Sequence, residues 1–278
     1  MRITLFGATG LLGNALMRES ATDQIAGLSS KDADIRNPEA IAQALAGTRP
    51  DWISLAAAYT DVDGCESNPT LAFAVNRDGA INVARAAKKI HARLLFLSTD
   101  YVFDGTKTTP YETTDKRAPQ TVYGKTKAEA ELRLAEILPD CCIVRTSWVY
   151  GTGGKCFPDT ILNLAATRPE LNVVNDQRGS PTYTIDLARA ILQLCRQNAT
   201  GIVHVTNAGD CTWYDFAQEI IGAAGLPAAV NPVSSEAFPR PAKRPAYSVL
   251  SPVSREKLSI NMPDWHDALA RYLEERER

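Results

Sequence analysis

The chain has 278 residues, 45% of them hydrophobic, and a formal net charge of −2: ample for a buried core, without the basic footprint that nucleic acid requires. No apolar run approaches about 20 residues, so no membrane span is expected; the first residues enter a strand and a glycine turn at once, which leaves no room for a signal peptide and points to the cytoplasm. The six cysteines lack Cys-x-x-Cys spacing and His91, His204 and His266 stand apart from ligand-spaced partners, so neither a disulfide nor a metal site is expected.

Ile3-Thr4-Leu5-Phe6 reads as a strand, followed by Gly7-Ala8-Thr9-Gly10-Leu11-Leu12-Gly13 and a helical stretch from Asn14 to Ser20. Glycines at this spacing let the backbone turn tightly and approach a pyrophosphate, while the helix N-terminus favours negative charge. Alone the triplet is compatible with a plain turn; a strand before it and a helix after it make it a dinucleotide site. A second strand, Gln24 to Leu28, runs into Ser29-Ser30-Lys31 where a carboxylate would bind the ribose of NAD, so the expectation leans to NADPH, with NADH possible. Asp34-Ile35, just before a helix opening at Pro38, is placed to flank an adenine; for Asp34 a simple turn carboxylate is the alternative.

Asp51 to Ala58 reads as a third strand ending in Ala56-Ala57-Ala58, small enough for a flat cofactor to pass close to the backbone. A long helix is expected from Asn68-Pro69 through Ile90, with Asn76 inside it. The apolar run Leu94-Leu95-Phe96-Leu97 then delivers Ser98-Thr99-Asp100, and a later helix delivers Tyr123 and Lys127. Residues four apart share a helix face, so Lys127 is expected beneath Tyr123, its charge easing the phenol toward ionisation. A carbonyl that receives hydride needs such a proton donor and a second hydroxyl, here Thr99, to polarise its oxygen. An ordinary exposed Tyr and Lys pair is the bland alternative, and it loses ground beside the glycine turn.

Cys141 to Gly151 reads as another buried strand with an aromatic exit at Trp148, whose indole can pack on a deoxysugar or simply plug the end of the sheet. Beyond it the pattern loosens: a helix over 155–168, a strand over 171–175, and a loop over 176–182 in which Arg178 either reaches a diphosphate or is solvated. A one-faced helix from Ile185 to Arg196 and a last strand from Ile202 to Val205 return to the sheet. An amphipathic stretch over 213–224, a proline-rich segment over 227–245 without period, and a charged helix over 263–275 complete the chain.

Alternating strands and helices predict an α/β fold, a Rossmann-type doubly wound parallel sheet. Residues 1–150, with 184–206 returning, would form the NAD(P)-binding part, and 151–183 with 207–278 a smaller C-terminal substrate lobe over the carboxyl ends of the strands. The chain would act as a monomer or homodimer.

Five ordered blocks carry a resemblance: Gly7 to Gly13, Ser98-Thr-Asp-Tyr-Val-Phe-Asp-Gly105, Tyr123-Gly-Lys-Thr-Lys127, Arg145-Thr-Ser-Trp-Val-Tyr-Gly151 and Asn175-Asp-Gln-Arg-Gly-Ser-Pro-Thr182. Together they resemble the extended short-chain dehydrogenase/reductases, and within them the dTDP-4-dehydrorhamnose reductase branch, over nearly the whole chain. The resemblance implies hydride transfer from NADPH or NADH to C4 of dTDP-4-dehydro-β-L-rhamnose, giving dTDP-L-rhamnose. It implies Thr99, Tyr123 and Lys127 as the catalytic trio, Gly10, Leu11 and Leu12 as the pyrophosphate turn, Asp34-Ile35 as the adenine site, Ala56 to Ala58 as the cofactor wall and Trp148 as the aromatic facing the sugar. Leu11 stands where many relatives carry Gln, and Ser251 where many carry Asp. Two other readings are weighed against it: a non-catalytic regulatory subunit of the same fold, of the methionine adenosyltransferase type, and a sugar-nucleotide epimerase or dehydratase. Asp100 supplies only one of the two acidic residues that dehydratases place after the threonine, and the Trp148 and 176–182 blocks favour the reductase.

Overall fold

The computed structural model describes residues 1–20 and 22–276. β1 (Arg2–Phe6) is buried from Ile3 onward, and α1 (Leu11–Glu19) starts on Gly10, which has no side chain to cap the first turn. β2 (Gln24–Leu28) follows. α2 (Pro38–Thr48) opens with a proline and with Asn37 accepting from the amides of Glu39 and Ala40, the favoured chemistry of a helix start. β3 (Trp52–Leu55) stops short of the expected strand over 51–58. The amides of Ala56 and Ala57 both turn to the carbonyl of Phe6, at 3.0 and 2.9 Å, and so leave the regular ladder.

α3 (Val62–Ser67), unforeseen in the sequence, is capped by Asp61. The expected long helix lies in three pieces: α4 (Pro69–Phe73), a π-helical turn over Ala74–Gly79, and α5 (Ala80–Lys89). The wide turn carries buried Asn76, which accepts from Tyr59 N at 2.8 Å and donates to Tyr59 O at 3.0 Å and Thr126 Oγ1 at 3.1 Å. Such turns concentrate at functional sites, and this one ties the loop after β3 to the helix that carries Tyr123 and Lys127. β4 (Arg93–Thr99), α6 (Val122–Ile137) and β5 (Cys142–Thr146) follow. The strand expected over 141–151 breaks at Trp148, which takes a left-handed φ of +46°, and resumes as β6 (Val149–Tyr150).

Then come α7 (Phe157–Ala165), β7 (Glu170–Val174), β8 (Arg178–Gly179), β9 (Thr182–Tyr183), α8 (Thr184–Arg196) and β10 (Gly201–His204). β11 (Cys211–Thr212) leads into α9 (Trp213–Ala223) through a capping box of Thr212 and Asp215. The proline-rich segment is not shapeless, since β12 (Ala229–Val233) runs parallel to β7. The short α10 (Val253–Glu256) and α11 (Trp265–Arg276) close the fold.

Six strands form one parallel sheet in the order β2-β1-β3-β4-β5-β10. The chain moves from β1 to one side and from β3 to the other, so a crevice opens at the carboxyl ends of β1 and β3, where open α/β sheets take ligands. On one face α2, α5 and α6 bury Ile41, Val83 and Leu134 against Phe6, Ile53 and Phe96. On the other, one continuous apolar cluster runs from Ile3 and Leu16 through Ile191 of α8 to Phe216 of α9 and Tyr272 of α11. The later helices thus share one core with the sheet. Among the described residues no helix is long and apolar enough to cross a membrane, and all six cysteines are free and buried.

Candidate active site

A cleft of about 840 Å³ opens along the carboxyl ends of the strands and continues to Trp148 and Trp213. Its floor is the glycine turn. Gly7 takes a φ of +95°, and a Cβ there would stand 2.6 Å from Ala57 N, so only glycine lets β1 and β3 approach this closely. The first turn of α1, uncapped by any side chain, lines the cleft with Gly10, Leu11 and Leu12, and a helix N-terminus left open in this way is the local electrostatics that a pyrophosphate needs. Ala56, Ala57 and Ala58 form the adjoining wall. A glycine turn, an uncapped helix start and a wall of small side chains together fit a dinucleotide.

Ser29, Ser30, Asp34 and Ile35 line the far end. Ser29 Oγ donates to Asp32 at 2.6 Å, which leaves Ser30 the freer hydroxyl. The cation at this end is Arg36 rather than Lys31: Arg36 lines the cleft and pairs with Asp34 at 2.6 Å, holding that carboxyl below its usual range. An Asp-x-Arg spacing just before a helix was the signal for it.

At the other end Thr99, Tyr123 and Lys127 share the cleft. Thr99 is the last residue of β4, and its hydroxyl accepts from Tyr101 N at 3.2 Å and donates to Asp100 Oδ1 at 2.8 Å. Tyr123 lies in the first turn of α6, whose start is fixed by Thr121 accepting from Gly124 N and by Glu66 accepting from Val122 N at 2.7 Å. Lys127 is 2% exposed, with its ammonium 4.0 Å from the centre of the Phe96 ring.

The electrostatics correct one expectation. Burial pushes the Tyr123 phenol up, Asp100 adds to the rise, and the hydroxyl of Thr99 pulls the other way; Lys127 is not among the groups that lower it. Lys127 itself is held down to about 7 by burial, against the pull of Glu131. The phenol is therefore a protonated donor at neutral pH. Asp100, missed as a cleft residue in its own right, is buried and pushed up to about 6 by desolvation.

Trp148 lines the cleft beyond the end of β5, and Trp213, read from the sequence only as part of an amphipathic stretch, stacks on it. Arg178 does not line the cleft. It sits on β8 with its guanidinium paired to Asp210 and its amide bonded to Ala246 O, so a diphosphate contact would require that pair to open. Among the described residues no group of three His, Cys, Asp or Glu side chains converges as a metal ion requires.

The family model described as RmlD substrate binding domain matches residues 1–278. The spore coat polysaccharide biosynthesis protein SpsK of Bacillus subtilis is 41% identical, over 99% of this chain and 98% of its own length. Among solved structures, a dTDP-4-dehydrorhamnose reductase from Clostridium acetobutylicum superposes with a TM-score of 0.97 at 39% identity, covering 100% of both chains. A dTDP-4-dehydrorhamnose reductase from Bacillus anthracis in complex with NADP gives 0.95 at 38% identity, covering 99% of each. With the glycine cradle, the Thr, Tyr and Lys trio and the full-length match in agreement, the chain belongs to the RmlD substrate binding domain family.

Proposed function

We propose that the chain is an NADPH-dependent reductase of a nucleotide-activated 4-keto-6-deoxy sugar, converting dTDP-4-dehydro-β-L-rhamnose to dTDP-L-rhamnose. The observation that carries the reading is the meeting of Thr99, Tyr123 and Lys127 with the glycine cradle in a single cleft. The names of the relatives above, and the NADP bound by one of them, support it. The reduced nicotinamide, when bound, supplies the hydride. Thr99 offers its hydroxyl to the C4 carbonyl oxygen, and Tyr123, protonated at neutral pH, gives that oxygen its proton. Lys127, buried one turn beyond Tyr123 on α6, holds its ammonium in the same cleft, so that its proton replaces the one Tyr123 gives up. Ser30 and Arg36 hold the cofactor's 2′-phosphate, Ala56 to Ala58 its flat body, and Trp148 the sugar.

The test is direct. Purified protein is mixed with NADPH and dTDP-4-dehydrorhamnose, and absorbance of the reduced cofactor is followed. The reading expects consumption matched mole for mole by dTDP-L-rhamnose; NADPH that stays intact over many minutes at micromolar enzyme refutes it.

A further inference from the structure

Behind the cleft lies a buried charge cluster that the proposed chemistry does not use. Glu131 stands one turn beyond Lys127 on α6 and, like Arg145 of β5, is 0% exposed. Its Oε1 accepts from Ser98 Oγ at 2.5 Å and Arg145 Nε at 2.9 Å; its Oε2 accepts from Arg145 Nη2 at 2.7 Å and Arg117 Nε at 2.5 Å. Four hydrogen bonds saturate the carboxylate. Arg145 also reaches Thr113 O and the ring of His204, both at 3.4 Å.

A buried ion pair is weak evidence for stability, because desolvating both charges offsets most of their attraction and apolar replacements often do as well. Its purpose is better sought in what it touches. Ser98 is the residue before Thr99 at the end of β4, Arg145 comes three residues before Trp148, and Glu131 shares its helix with Tyr123 and Lys127. One carboxylate therefore joins the three elements that deliver the site.

We propose that Glu131 is a positioning residue for the reduction: its carboxylate locks the helix carrying Tyr123 and Lys127 to the strand ends carrying Thr99 and Trp148, and from one turn away on α6 its charge also favours the Lys127 ammonium. The inference rests on the reductase reading and goes beyond it. Glu131 is the one charged group that raises the affinity of Lys127 for its proton, against burial. Burial works to raise Glu131's own pKa, but Arg145 foremost, with Ser98 and Arg117, holds it below the usual carboxylate range, so its charge is present throughout the working pH. The other groups facing the pair are His204 of β10, kept neutral by burial and by Arg145, and the Cys141 thiol before β5, pushed up to about 11 by burial. Tyr123 faces Asp100 on the cleft side.

The experiment measures kcat/KM for NADPH-dependent reduction across pH, with NADPH affinity and Tm, in four variants. Glu131→Gln keeps the shape and removes the charge. Because it strands a buried guanidinium, it is made alongside Glu131→Gln/Arg145→Met, in which both charges go together, and Glu131→Asp, which keeps the carboxylate. Ser98→Ala retains every charge and loosens only the strand end. The proposal expects the alkaline limb of the profile to move down by about one pH unit in either Gln variant. It expects a smaller move in the Asp variant and NADPH affinity within about threefold of the parent. Ser98→Ala should lose severalfold in kcat with the limb in place. A purely structural role lowers Tm and leaves the limb where it was, and that result overturns the proposal. So does an unchanged kcat in Ser98→Ala, which decides the matter if the Glu131 variants do not fold. Tyr123→Phe is assayed in parallel: full turnover there refutes the site assignment itself, whereas an inactive Tyr123→Phe beside unmoved Gln profiles refutes only the role of Glu131.

Discussion

Trp148 and Trp213 lie face to face, ring centroids 3.5 Å apart and planes 6° from parallel. Phe157 tilts against Trp213 at 4.5 Å, and a Cβ on Gly179 would stand 2.5 Å from the Trp148 indole. Trp148 is thus a fixed wall of the cleft, held by a stack and by the absence of a side chain at 179. Trp148→Ala removes an aromatic pair of roughly 0.5–1.5 kcal/mol beyond its buried area, so Tm falls by a few degrees while KM for the sugar nucleotide rises about tenfold or more. Gly179→Val keeps both rings and displaces the first; it should raise KM with NADPH affinity unchanged. An unaltered KM in both variants would remove Trp148 from the substrate site.

The buried Lys127 gives a pH dependence. Its ammonium, held down to about 7, is lost as pH rises through that value in the free enzyme. Since kcat/KM reports the free enzyme, it should fall on the alkaline side with a midpoint near 7, and Lys127→Met should be nearly inactive without that limb. A profile flat from about pH 6 to 9 contradicts this.

Asp100 makes the opposite prediction for stability. Burial raises its carboxyl from 3.8 to about 6, with the hydroxyls of Ser248 and Thr99 working against it. Between those two values the folded chain binds more protons than the unfolded one, so stability falls as pH rises through the window and the full cost applies above about 6. Asp100→Asn should gain on the order of 1–3 kcal/mol near pH 7.5, a Tm rise of several degrees, and gain nothing below about pH 4. Equal melting temperatures of the two proteins near pH 7.5 count against the buried carboxylate.

Much of this was legible in the chain, and the failures have physical causes. The glycine turn, the strand ending in Thr99 and the Tyr123 and Lys127 helix are encoded by local spacing, so they emerged from residues alone. Arg178 did not reach the cleft because Asp210, 32 residues away, captures its guanidinium. The break at Trp148 could not be read from an apolar run, since it depends on packing against Trp213, 65 positions later in the chain. Glu131 was hidden for the same reason: on α6 it looks like any helical acid until β4 and β5 bring Ser98 and Arg145 to it.

The cofactor end offers a cleaner substitution. Ser30 lines the cleft beside Arg36, and neither end of the nearby Asp34 carboxylate is free, since Arg36 takes both oxygens. Ser30→Asp should weaken NADPH by repelling the 2′-phosphate and leave NADH within a few-fold, reversing the preference. Dissociation constants of the parent protein favouring NADH by tenfold would exclude this arrangement.

Tyr123, the one tyrosine with a lysine four residues on, is the proton donor on which the proposed reduction depends. The decisive measurement is kcat of Tyr123→Phe with NADPH and dTDP-4-dehydrorhamnose, alongside NADPH binding by the same preparation. A loss of about 10²–10⁴ in kcat with cofactor affinity intact is the predicted result. Turnover within a few-fold of the parent protein would contradict it.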